Sequence, residues 1–93
     1  MIRYTEKDAR ECAKRLADFL GKQFENCWED RKAKIGCWKL DCNPIYGGCE
    51  IEEIINEAGA VTLPFGENRL PPREFCQTIN FAIKAIEIDR RSR

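Results

Sequence analysis

The chain contains no histidine. Its absence removes the side chain most often used as a general base near neutral pH, and the commonest imidazole metal ligand. Net charge is missing too, since sixteen Lys and Arg balance sixteen Asp and Glu. A domain built to grip a polyanion usually carries a clear positive excess, so nucleic-acid binding is expected to be weak. The same balance leaves little long-range repulsion between copies. No apolar run approaches the roughly twenty residues that cross a bilayer, so no membrane contact is expected. The N-terminal stretch from Met1 to Lys14 is polar and charged, unlike a secretory leader, and the cytoplasm is the expected compartment. No repeat, linker or low-complexity segment interrupts the chain. Residues 1–93 are read as one domain.

What the chain does have is cysteine: Cys12, Cys27, Cys37, Cys42, Cys49 and Cys76. An even count in a short chain raises a disulfide framework. Without a leader, reduced thiols packed as small hydrophobes are the expectation for all six. Zinc is the competitor, but only half of a two-knuckle pattern exists, Cys37-x4-Cys42. Those two positions also face opposite sides of one strand. No metal and no other cofactor is expected.

Thr5-Glu6-Lys7-Asp8 predicts a capped helix start. Ala9, Cys12, Ala13, Leu16, Ala17 and Leu20 then recur at helical spacing. Gly21 predicts the stop, and a Glu11 to Arg15 pair supports the outer face. Residues 22–30 read as either a short strand from Phe24 to Glu29 or a helical continuation. From Ile35 to Cys42 the period is two, with Trp38, Leu40 and Cys42 on one face. Cys49, Ile51, Glu53 and Ile55 alternate in the next strand, and Val61, Leu63 and Phe65 in the last, where Pro64 marks an edge. Pro71-Pro72 opens a second helix, buried along Phe75, Ile79, Ala82, Ile83 and Ile86. The expected fold is α+β: a helix, an antiparallel meander of three or four strands, and a helix, with both helices on one face of the sheet.

The candidate binding residues are Asp41, Tyr46, Gly47, Gly48, Arg69 and Arg73. Tyr46 stands beside two glycines, where a ligand or another backbone can approach closely. Arg69 and Arg73 flank the start of the second helix, a position suited to phosphate or carboxylate. The plainer reading pairs these arginines with Glu67, Glu74 or the acidic strand around Glu50 and Glu53, and it outweighs the anion site. Asp41, Glu50, Glu52 and Glu53 concentrate carboxylates, but Glu50 and Glu52 share a face as a solvated strand surface does. No catalytic residue is assigned, and a non-enzymatic role is expected.

The residues Gly36-x-Trp38-x-Leu40-Asp41, Tyr46-Gly47-Gly48, Asn56-Glu57, Pro64-Phe65-Gly66 and Arg73-Glu74-Phe75 resemble a group of small proteins of bacteriophage and metagenomic origin. The resemblance covers roughly the C-terminal two-thirds of the chain. It implies a phage origin, hence a host-cell cytoplasm, and it implies no activity. The element order is also similar to the double-stranded-RNA-binding fold. That fold sets a lysine cluster where this chain has Arg69-Leu70-Pro71-Pro72-Arg73-Glu74. The leading expectation is a small binding module acting on a protein partner and forming a homodimer, held either by the sheet, where the Cys49 to Ile55 strand is unguarded if it lies at an edge, or by Phe81 and Ile88 off the buried stripe of the second helix. The alternative is a nucleic-acid or nucleotide binder using Arg69 and Arg73.

Overall fold

The structure, a computed structural model, describes residues 4–43, 47–67 and 69–92. It is α+β, in the order α1 (Glu6–Phe19), β1 (Trp28–Glu29), β2 (Lys32–Ala33), β3 (Trp38–Asn43), β4 (Gly48–Ile54), β5 (Val61–Thr62) and α2 (Pro72–Arg91).

Helix α1 begins where its sequence says it should. The Thr5 side chain accepts from the Asp8 amide, and Asp8 accepts from the Thr5 amide at 2.8 Å, closing a capping box. It ends in a Schellman arrangement. Gly21 takes φ 71°, the Lys22 amide donates to Ala17 at 2.8 Å, and the Gly21 amide donates to Asp18. Arg15 reaches Asn80 of α2, whereas the ion pairs along α1 are Glu6–Arg10 and Lys14–Asp18. Helix α2 carries Pro72 in its first turn and buries Phe75, Cys76, Ile79 and Ile83.

The expected single meander is two sheets. β1 and β2 form a separate hairpin, and β3, β4 and β5 form a three-stranded antiparallel sheet in that order. The hairpin turns on Asp30 and Arg31, both at positive φ, as a two-residue turn of the primed type requires. Asp-Arg is a weak signal for that turn, which is why residues 22–30 read ambiguously. Just before it, Glu25 and Asn26 also take positive φ, and Phe24 bridges to Trp38 in parallel. Neither a helix nor a strand therefore spans Phe24 to Cys27.

β3 and β4 pair Trp38 with Glu53, Leu40 with Ile51 and Cys42 with Cys49. That face meets the helices. Ala9, Ala13, Leu16, Ala17, Trp38, Cys49, Ile51, Phe75, Ile79 and Ile83 form the main core, with Leu40 and Cys42 packed against it. The opposite face of β4 is covered at one end by the hairpin, where Cys27, Ala33, Cys37 and Ile54 make a second, smaller core. The helices run in the same direction, because Arg15 contacts Asn80 and, further along both, Arg90 stacks over Phe19 at 4.5 Å. β5 spans only Val61–Thr62, since the chain turns at Pro64 and Phe65.

The expectation of six reduced thiols is corrected. Cys27–Cys37 and Cys42–Cys49 are disulfides, with Cα–Cα distances of 5.7 and 4.1 Å, and Cys12 and Cys76 are free. Compartment was the wrong guide, and register the right one. Cys42 and Cys49 are directly opposed across the β3–β4 hairpin. The Cys49 amide and carbonyl both bond to Leu70, so the pair is of the closely spaced, non-hydrogen-bonded kind. Loops this short contribute about 2–3 kcal/mol each in the chain-entropy picture.

Candidate functional site

Three of the residues singled out from the sequence lie together. Arg69 donates to Asp41, to the Gly48 carbonyl at 3.0 Å, and contacts Glu50 at 2.7 Å. Asp41 and Glu50 are direct cross-strand partners. Two like charges so placed repel, and the guanidinium lies across both. The Asp41 hydrogen bond raises the Arg69 pKa, opposed by partial desolvation and helped by the charges of Asp41, Glu50 and Glu52. The shallow cleft beside Arg69 is lined by Glu50, Leu63 and Glu67. Carboxylates outnumber the arginine there, which is a poor setting for a phosphate. The plainer reading of Arg69, a pairing with the acidic strand, is the one observed.

Gly48 has a structural task. Its φ is 113°, and a Cβ added there would lie 2.1 Å from the Leu70 carbonyl oxygen. The second backbone that approaches this glycine is thus the chain's own. Leu70 bridges to Cys49 through two hydrogen bonds, 2.7 and 3.1 Å, and this bridge leads the chain into α2. Gly47, at φ 92°, belongs to the same turn. Tyr46 lies outside the described residues. Arg73 is exposed in the first turn of α2 and is not among the partners of the Asp41–Arg69 cluster.

A different surface was only partly visible in the sequence. On the β5 side of β4, Cys49 pairs with Leu70, and Glu53 pairs with Thr62. Ile51 falls between these pairings, so the sheet edge is interrupted there. A cavity of about 90 Å³ lies against the interruption, walled by Leu16, Ile51, Phe65, Leu70, Phe75 and Ile79, with Thr78 and Ala82 on α2. Phe65, 53% exposed, forms part of its rim and meets Trp38 edge-on at 5.5 Å. One turn beyond Thr78 stands Phe81, 77% exposed, and two turns further Ile88, 56% exposed. Seven residues apart, Phe81 and Ile88 share one open face of α2. Phe81 and Ile88 were legible because they fall off the buried stripe. The cavity was not, because it depends on Phe65, Gly66 and Leu70, which lie outside the regular elements.

The remaining polar features hold structure. The Asn56 side-chain carbonyl accepts from Ala58 and Ala60, each at 3.0 Å, and shapes the β4–β5 turn. Trp28 lies over Gly59, where an added Cβ would be 2.7 Å from the indole. Among the described residues no group of three or more His, Cys, Asp or Glu is arranged to hold a metal, and no helix is long and apolar enough to cross a membrane. No family model matches the chain, and no curated protein or solved structure is significantly similar to it.

Proposed function

We propose that this is a small non-enzymatic binding module that docks onto protein, with a second copy of the chain as one partner. The observation that carries the reading is the exposure of three large apolar side chains, Phe65 at the rim of the cavity and Phe81 and Ile88 on the open face of α2. A monomer gains nothing by exposing two phenylalanines and an isoleucine beside an apolar recess, whereas interface cores are enriched in such anchors. The formal net charge of zero lets copies approach. The nucleic-acid reading is weakened because Arg69 is committed to Asp41 and Glu50.

The two disulfides bear on where the module works. Disulfides persist in oxidising surroundings and are rare in the reducing cytoplasm. We therefore set the cytoplasmic expectation aside in favour of an oxidising compartment. The motif likeness to small bacteriophage proteins remains part of the proposal, and the neighbouring genes test it.

Light scattering over a range of protein concentrations tests the docking surface. Wild-type protein is expected to be dimeric at micromolar concentration, with a melting temperature that rises with concentration, and Phe81→Glu monomeric with an unchanged circular dichroism spectrum, because Phe81 is outside the core. A wild-type monomer throughout would end the self-association reading. If Phe81→Glu then also left capture of partners from lysate unaltered, the surface would have no docking role at all.

A further inference from the structure

The two cysteines left out of the disulfides face each other. Cys12 is half-buried in the middle of α1, and Cys76 is buried, at 1% exposure, in the second turn of α2. Cys12 stands one turn before Arg15 on α1 and Cys76 one turn before Asn80 on α2, so the Arg15–Asn80 contact sets the two thiols on facing turns of the helices. Three alanines on the buried side of α1, Ala9, Ala13 and Ala17, are completely enclosed, and side chains this small let a neighbouring element approach closely. Beyond the thiols, the Arg15–Asn80 hydrogen bond and the Arg90–Phe19 stack hold the helices in the register that brings the two sulfurs together.

We propose that Cys12 and Cys76 are an oxidisable dithiol that accepts a third disulfide, with a low-molecular-weight disulfide as oxidant, covalently joining α1 to α2. The half-buried Cys12 is the sulfur that an oxidant RSSR reaches first. Its thiolate attacks one sulfur of RSSR, forms the mixed disulfide Cys12–S–SR and expels RS⁻, which takes up a proton. Cys76 then gives its proton to solvent, and its thiolate attacks the Cys12 sulfur. The bond to R breaks, the Cys12–Cys76 bond forms, and a second RSH leaves. Two thiols have lost two electrons, and one RSSR has become two RSH.

The surroundings fit this division of roles. Burial, followed by the Cys12 thiol itself, pushes the Cys76 thiol up to about 12, with Asp8 adding to the rise and Arg15 opposing it. Cys76 is therefore the resolving thiol and not the attacking one. The share of the rise owed to the Cys12 thiol disappears once Cys12 carries the mixed disulfide.

Both existing disulfides lie between Cys27 and Cys49 and close short loops. A Cys12–Cys76 bond closes a far longer one and tethers both helices, so its effect on the unfolded chain is greater. A rise in melting temperature of about 10–20 °C is expected.

The test uses the full chain incubated in a buffer of oxidised and reduced glutathione, then unfolded and alkylated. Mass spectrometry is expected to find no alkylatable thiol and a peptide linking Cys12 to Cys76. Cys12→Ser and Cys76→Ser should each retain one free thiol and lack the rise in melting temperature. Cys12→Ser replaces only a half-buried side chain and so keeps the comparison available if Cys76→Ser folds poorly. Wild-type protein that retains both thiols while Cys27–Cys37 and Cys42–Cys49 are formed would overturn the proposal. So would oxidation that halts at a glutathione adduct on Cys12.

Discussion

Replacing Gly48 by alanine is expected to cost about 3–5 kcal/mol, and the structure supplies each part. The residue sits at φ 113°, where a side chain is strained by about 1–3 kcal/mol. The new Cβ would also stand 2.1 Å from the Leu70 oxygen, 2.4 Å from its carbonyl carbon and 2.6 Å from the Pro71 nitrogen. All three are backbone atoms, so no rotamer change relieves the clash. The segment must retreat, which breaks the two hydrogen bonds between Leu70 and Cys49, worth about 1 kcal/mol each. A domain of this size has roughly 5–15 kcal/mol in total. Urea unfolding with the disulfides intact measures the loss. Gly66→Ala is the control, because Gly66 shares the positive φ, at 77°, but an added Cβ meets nothing within 4 Å among the described residues. It should cost about 1 kcal/mol. If the two variants have the same midpoint, the close passage of Leu70 over Gly48 is refuted.

Trp38→Ala should destabilise by about 3–5 kcal/mol, since Trp38 is 3% exposed, donates to Glu53 at 2.9 Å and meets Phe65 edge-on; an unmoved denaturation midpoint would put the indole at the surface. Arg69→Met leaves Asp41 and Glu50 opposed across the β3–β4 pair without a counter-charge. Its midpoint should fall below wild type in low salt, and the gap should narrow as added salt screens the two carboxylates from each other. A variant as stable as wild type at pH 7 that had lost affinity for phosphate would instead make Arg69 an anion ligand.

Strong local signals carried the regular elements. Thr5 with Asp8, Gly21, and Pro71-Pro72 delimit both helices, and the period of two from Trp38 to Cys42 gives the face that meets them. The hairpin over Trp28 to Ala33 was obscure because four non-glycine residues nearby take positive φ, a state that side chains ordinarily resist. The strand from Cys49 to Ile55 was expected to be a possible sheet edge, yet β4 is central. Its outer neighbour is split between β5 and Leu70, and Leu70 lies outside any alternating run. Of the candidate site, Asp41, Gly48 and Arg69 do lie together, as a clamp that ties the segment before α2 to β3 and β4. For the cysteines the expected compartment points to free thiols, whereas the placing of Cys42 and Cys49 on either side of a hairpin suits the cross-strand bond that forms.

β4 is a wall shared by two cores, with Ile51 facing one and Ile54 the other. A slip of one residue against β3 would turn both side chains to the wrong face at once. It would also set Glu50 or Gly48 opposite Cys42 and leave Cys49 without its partner. Within the formed sheet the two sulfurs meet only at the native alignment. Once formed, the bond is a covalent pin that holds β3 and β4 to this one alignment and, through it, keeps each core supplied with its own isoleucine.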